Sequence, residues 1–301
     1  MGMAKLEGMD EQRKVINAAQ EGGALIARKK APWWRRSMTL NIGLLIILVV
    51  VIFALFPQFL TSYDPNASDT TAMLQPPSAE HLFGTDNYGR DVFARVVWGT
   101  RIDLTIGVLA MIVPFITGSI IGLIAGYYGG WLDSILMRIL DVVMAFPFII
   151  LVIAIVSIMG PSMNNLYIAI WLVGWRDYAR LVRSEVMVVK HSEYVQAARL
   201  LGYSDLRILI RHILPNVFSS AIAFASSDVV MCMLTGASLS FLGLGVQPPT
   251  PEWGALIADG RPFISQAWWI CACPGFALIF AGTGFSLFGD GLADLLRTKN
   301  R

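Results

Sequence analysis

The sequence predicts an all-α polytopic membrane protein, with six transmembrane helices and one short helix held outside the membrane. Three observations carry that prediction. Of the 301 residues 55% are hydrophobic and 15% charged, with a mean hydropathy of +0.61, well to the apolar side of soluble usage. The apolar residues collect in runs long enough to cross a bilayer, which takes about 20 residues of helix. One long polar interruption, Glu193 to Asn216, divides the second half of the chain. The net charge of +2 is uninformative, but its distribution is not. Cys232, Cys271 and Cys273 sit in apolar runs without zinc-finger or Cys-x-x-Cys spacing, so they read as small buried hydrophobes and neither a metal nor a cofactor is expected.

Residues 1–37 carry eight Lys/Arg against four acids and end in a basic, aromatic edge, Trp33-Trp34 beside Arg35-Arg36. They form the expected cytosolic N-terminal tail. Residues 38–57 are the first span, uncharged and closed by Pro57. Residues 58–101 form an external loop with five acids and few basic residues. Within it Val92, Phe93, Val96 and Val97 recur at helical spacing and lead toward the second span, Leu104 to Tyr128. Gly118, Gly122 and Gly126 give that span a small-residue stripe suited to close helix packing. A third span runs from the Gly129-Gly130 turn to Met159 with a kink at Pro147, and a fourth from Tyr167 to Arg183 with Asp177 and Arg180 one turn apart. The polar segment 184–216 follows. A fifth span ends near Leu242, and a sixth covers Ala267 to Phe288, closing a five-helix core of 102–293 before a cytosolic tail, 294–301. All six Lys fall in the proposed inner segments, which places both termini in the cytosol.

In the polar segment, Ser192 is positioned to cap a helix from Glu193, Gly202 to end it in a left-handed turn, and Ser204 to cap a second helix that Pro215 closes. The first helix is about 9 residues, roughly 13 Å, far too short to span. Two readings of the residues are open: a knob offered to a partner, with small Ala197 and Ala198 allowing close approach, or an amphipathic helix lying on the membrane surface.

At Gln196-Ala197-Ala198, Gly202 and His212-Ile213-Leu214-Pro215 the sequence resembles the permease subunits of ATP-binding-cassette importers, in the dipeptide, oligopeptide and nickel branch. Gln stands where the family signature has Glu, and His where it has Ile. Gly84-Thr85-Asp86, Gly89-Arg90-Asp91, Arg95, Gly99 and Arg101 resemble the branch's first outer signature, and Gly243, Gly245, Pro248, Pro249, Pro251, Glu252, Trp253 and Gly254 the second. The resemblance covers Leu40 to the C-terminus, with Ser286 and Ala293 departing from the usual Asn and Arg. It implies a type I importer permease fold in a bacterial or archaeal cytoplasmic membrane. It also implies a homologous second permease subunit, two ATPase subunits carrying ATP and Mg, and an external solute-binding protein. On this view Glu193, Tyr194, Gln196, Ala197, Ala198 and Gly202 couple the chain to the ATPase. Asp86, Arg90, Asp91, Glu252 and Trp253 are candidates for docking the binding protein; the competing reading makes the outer signature an ordered cap whose Asp and Arg pair with each other.

Nothing in the sequence looks catalytic. There is no phosphate-binding Gly-Lys-Ser/Thr loop, no paired-carboxylate or His-x-x-x-His arrangement, and no nucleic-acid partner is expected. His212 reads as a helix-end hydrogen-bonding residue. Asp228 interrupts the fifth span, where a charged Asp facing lipid costs about 2.5–3.5 kcal/mol, and no Lys or Arg lies one turn away. Its partner must come from another helix, a second subunit or the solute, which makes it a candidate for the solute pathway. The resemblance implies import of short peptides, with nickel chelates and glutathione as alternatives; a stand-alone secondary transporter using Asp228 is the reading from a different class.

Overall fold

The computed structural model describes residues 38–299. The expected cytosolic N-terminal tail therefore lies outside the described residues, as do the last two residues of the C-terminal tail. Among the described residues there is no strand, only an isolated bridge between Thr85 and Asp91. The helices are α1 (Met38–Leu55), α2 (Pro57–Leu60), α3 (Val92–Tyr128), α4 (Gly130–Met144), α5 (Phe148–Met159), α6 (Met163–Val189), α7 (Glu193–Leu200), α8 (Asp205–Ile208), α9 (Leu214–Phe241), α10 (Trp253–Gly260) and α11 (Trp269–Lys299). A π-helical turn, Leu209–Ile213, joins α8 to α9, and a 3-10 turn, Arg261–Phe263, follows α10.

Among the described residues four helical tracts are long and apolar enough to cross a membrane: α1, α3, the tract Asp205–Phe241 and Trp269–Leu296. α4 and α5 qualify only as one broken span, bent by 82°. Pro147 therefore does more than kink the third span. It sits outside both helices with extended backbone, and the carbonyls of Val143 and Phe146 that the break leaves free accept hydrogen bonds from the guanidinium of Arg176 at 3.2 and 3.4 Å. The fourth expected span, α6, has 27 residues, about 40 Å of helix, but Arg176, Asp177, Arg180, Arg183 and Glu185 keep its composition short of a membrane span. The first four of those charges are paired within the fold. Asp133 takes both arms of Arg183, at 2.5 and 2.6 Å, and Asp141 pairs with Arg180 at 3.3 Å. The expected pair of Asp177 with Arg180 does not form: Asp177 lies 3.5 Å from its neighbour Arg176, while Arg180 reaches across to α4.

α3 is longer than the second span predicted, because the interfacial helix starting at Val92 runs on unbroken through Pro114 to Tyr128. Its glycine stripe packs on α6. A Cβ on Gly122 would meet the carbonyl oxygen of Ala179 at 2.5 Å, and one on Gly126 would meet the Val186 side chain at 2.8 Å; only bare backbone allows this approach. Pro215 also differs from expectation. It stands in the first turn of α9, where a missing N–H breaks no helical bond, so it opens the fifth span and does not end α8.

Three hydrophobic clusters hold the bundle. One joins Val92, Val96, Met233, Trp253 and Trp269 near the outer signatures. A second joins Ile106, Val152, Leu166, Ile170 and Leu239. The third joins Tyr127, Val182, Val186, Val195, Ala198, Ile208, Ile213 and Val217, where the short helix meets the ends of α3, α6 and α9.

Candidate functional site

The polar segment folds as a helical knob. α7 begins at Glu193 as predicted, although Ser192 does not cap it: the Ser192 hydroxyl donates to the Val189 carbonyl instead. Gly202 adopts φ +75°, the left-handed conformation expected of it, with no atom within 4 Å of where a Cβ would stand. Gln196 donates its side-chain amide to the His191 carbonyl at 3.0 Å. A carboxylate could not make that bond, which gives the departure from the family's Glu a local physical consequence.

The two alanines face different ways. Ala198 is 2% exposed and, with Val195, belongs to the cluster that seats the knob on α3, α6 and α9. Ala197 is exposed, together with Glu193, Tyr194 and Gln196. Close approach at Ala198 is therefore to the chain's own helices and not, as the sequence suggested, to a partner. The corner beyond it presents Leu200, 90% exposed, Leu201, 71% exposed, and Leu206. Contiguous exposed apolar side chains outside a membrane span mark an interaction surface. The knob is braced by the Tyr127 hydroxyl, which donates to Asp205 at 2.6 Å, by Arg199 over the Tyr127 ring, and by Lys190, which donates to the Gly126 carbonyl at 2.8 Å. His212 does not bond through its ring as expected; it stacks on Tyr203, and its Nε2 is buried without a partner.

The outer signature folds into a closed polar cap. Gly84 and Gly89 both take φ +71°, turning the chain so that Asp86 accepts from Arg90 Nε at 2.6 Å and from the backbone amides of Tyr88 and Arg90. Asp91 caps α3 through the Ala94 amide and pairs with His81 Nδ1 at 2.8 Å. Arg95 donates to the Pro65 carbonyl, and Arg101 donates to the carbonyls of Ala54 and Leu55 at the end of α1. Burial raises the Asp259 carboxyl above its ordinary range, with Arg90 and Arg95 pulling the other way. Glu252 caps α10, accepting from the amides of Gly254 and Ala255, and the Trp253 indole donates to the Val96 carbonyl.

Asp86, Arg90, Asp91, Glu252 and Trp253 are all buried. In this conformation none of them can touch a docking protein directly. They pair with each other and with the backbone, the ordered-cap arrangement, and the exposed side chains of the outer loop are their neighbours, such as Leu82 and Tyr88.

Within the membrane, the partner that Asp228 needs comes from another helix. The Tyr178 hydroxyl on α6 donates to Asp228 Oδ2 at 2.8 Å, and Phe115 and Phe224 pack edge-on against the same tyrosine ring. Tyr178 escaped the sequence reading; its one signal was its place beside Asp177 on a span that already carried charge. Asp103 escaped as well. It sits one residue ahead of the predicted start of the second span, and its side chain accepts from the Trp253 amide at 3.0 Å. Among the described residues no group of three or more His, Cys, Asp or Glu is placed to hold a metal ion.

A helical bundle built for a membrane, with a short helix seated on the ends of three long ones and an apolar tip left open, has the architecture of a transport permease. The chain belongs to the binding-protein-dependent transport system inner membrane components, whose family model matches residues 118–301; the model for the N-terminal membrane domain of oligopeptide transport permease C matches residues 34–77. It is 45% identical over 258 residues to a dipeptide transport system permease of Alkalihalophilus pseudofirmus, covering 86% of this chain and 85% of that protein. It is 42% identical over 277 residues to a glutathione transport system permease of Pectobacterium atrosepticum, covering 90% and 92%. A probable D,D-dipeptide transport permease of Escherichia coli is 40% identical over 271 residues, covering 90% and 91%. Among solved structures, an inward-facing MetNI methionine transporter superposes with a TM-score of 0.58 at 15% identity, over 69% of this chain and 98% of that one. That likeness shows the type I importer fold. The chain is a multi-pass permease subunit and not itself a catalyst.

Proposed function

We propose that this chain is one half of the translocation pore of an ATP-driven importer, paired with a homologous permease subunit and passing short peptides delivered by an external binding protein. The observation that carries the reading is the knob: an apolar tip, Leu200 and Leu201, on a helix seated firmly against three spans. An ATPase subunit would take that tip in a cleft, contacting Tyr194, Ala197 and the Gly202 corner, and its opening and closing would move the attached helices. ATP and Mg would reside on the two ATPase subunits, with no cofactor on this chain. Lys and Arg distribution supports both termini in the cytosol. The binding protein would meet the exposed side chains that the outer cap carries, while Asp228, held by Tyr178, would face the solute pathway. The peptide class is supported by the printed functions of the relatives, and the glutathione permease among them favours a second reading, glutathione. Reconstitution of the full complex with its binding protein separates them. ATP-dependent uptake of a labelled dipeptide is expected; uptake of glutathione alone favours the second reading. Transport of either without ATPase subunits, driven by an ion gradient, would overturn both.

A further inference from the structure

Two carboxyl groups meet at the start of α10, and among the described residues no cation pairs with either. Asp103 on α3 is 1% exposed and Glu252 is 0% exposed. They are held side by side, because consecutive amides of one turn bond to the two different side chains. Three successive backbone amides are already shared between them: Trp253 donates to Asp103 Oδ2, Gly254 to Glu252 Oε1 and Ala255 to Glu252 Oε2, at 3.0, 3.0 and 2.7 Å. The remaining oxygen, Asp103 Oδ1, is buried and has no hydrogen-bond partner while both groups are written as carboxylates.

The surrounding charges do not resolve this. On α3, Arg95 is turned to Asp86 and the Pro65 carbonyl, and Arg101 to the carbonyls of α1. On α10, Asp259 pairs toward Arg90. α1 carries no charge, α9 carries only Asp228, held by Tyr178 in mid-span, and α11 carries none before Asp290. Two adjacent buried carboxylates without a counter-ion cannot both ionise. One proton removes the conflict. Placed on Asp103 Oδ1, it converts the orphan acceptor into a donor to Glu252, whose oxygens each keep a free lone pair. Glu252 then remains an ionised cap at a helix N-terminus, where negative charge is favoured.

We propose that Asp103 and Glu252 form a proton-binding site that latches the second outer loop to α3. The Trp253 indole, which donates to the Val96 carbonyl of the same helix, makes the latch two-pointed. The sign follows from linkage: the closed latch holds a proton that the open one, with both carboxyls in water, has lost at neutral pH. Closure is therefore strongest in acid and weakens as pH rises.

Hydrogen exchange of the full complex in nanodiscs reads the latch directly. After correction for intrinsic rates, exchange of the Trp253, Gly254 and Ala255 amides should rise roughly tenfold per pH unit from the ordinary carboxylate range up to the pH at which the closed pair gives up its proton. Asp103→Asn offers a permanent N–H donor to Glu252 and should flatten that dependence. Infrared difference spectra at neutral pH give a second readout that needs no opening: a protonated-carboxyl C=O stretch present in wild type and missing from both Asp103→Asn and Glu252→Gln. Should the variants fail to fold, the wild-type exchange profile alone decides. Exchange that does not change with pH in wild type, or a carboxyl band untouched by either substitution, overturns the proposal.

Discussion

Leu200 offers the sharpest separation between the permease's own fold and its docking. At 90% exposed it contributes almost nothing to the bundle, yet it heads the apolar tip of the knob. Covering a leucine side chain contributes about 1.5–3 kcal/mol. Leu200→Asp removes that contribution, so its loss weakens ATPase binding by about 10- to 150-fold, and a carboxylate carried into the contact adds a desolvation cost. The assay titrates purified ATPase subunits onto the permease pair in nanodiscs, with the thermal midpoint of the permease measured alongside. Affinity should fall while the midpoint stays at the wild-type value. Ala198→Arg is the contrasting perturbation: at 2% exposed inside the Val195, Val186 and Ile213 cluster, its bulk and charge should lower the midpoint before any partner is added. Wild-type affinity and wild-type ATP-driven uptake in Leu200→Asp would refute the docking role of the tip. So would a loss of thermal stability matching that of Ala198→Arg.

The remaining predictions concern the corner, the α4–α6 contacts and the buried tyrosine. Gly202→Val should cost about 1–2 kcal/mol of backbone strain at φ +75° with no collision, so uptake should drop while expression and insertion remain normal; unchanged uptake would show that the corner's geometry is not needed. Arg183→Ala leaves Asp133 without either of its two hydrogen bonds and, at about 1.5–3 kcal/mol for a bond to a charged group, should lower the thermal midpoint measurably; Arg180→Ala, whose pair is more than half exposed, should change it little. Gly122→Val drives its side chain into the Ala179 backbone and should prevent α3 from seating on α6, read as proteolytic sensitivity of the inserted protein. Asp228→Asn and Tyr178→Phe should both reduce transport of the physiological solute with the complex intact; loss of assembly in either would instead make the pair a structural tie.

What could be read in the sequence was whatever has a local cause. The start of α7 at Glu193 and the left-handed turn at Gly202 follow from short-range backbone preferences, and both stand where predicted. The glycine stripe was legible because a four-residue repeat has only one packing consequence. Pro215 was misplaced because proline has two: it stops a helix from inside and starts one from the first turn, and only the π-turn Leu209–Ile213, invisible in composition, decides between them. The same limit governed the outer signatures. Asp86, Arg90 and Asp91 have the composition of an exposed polar surface, but Gly84 and Gly89 fold them onto each other and onto the N-terminus of α3. Asp103 and Glu252 lie 149 positions apart, so no periodicity could have joined them.

The knob's value to a transporter rests on how little slack surrounds it. Only Lys190, His191 and Ser192 separate α6 from α7, and the Gly202 corner alone separates α7 from the tract that becomes α9. Both connections are tied: the Lys190 ammonium holds the last turn of α3, the Gln196 amide holds the His191 carbonyl, and Asp205 accepts from Tyr127. Val195 and Ala198 are packed with residues of α3, α6 and α9 in one cluster, and close-packed interiors transmit displacement without absorbing it. A push on Leu200 therefore has no loop in which to dissipate. It must move the adjoining ends of three long helices together, and one of those, α6, holds the broken span through Arg176, Arg180 and Arg183 and holds Asp228 through Tyr178. The tip, the bend at Pro147 and the Asp228 carboxylate in the middle of α9 are thus joined through a single helix.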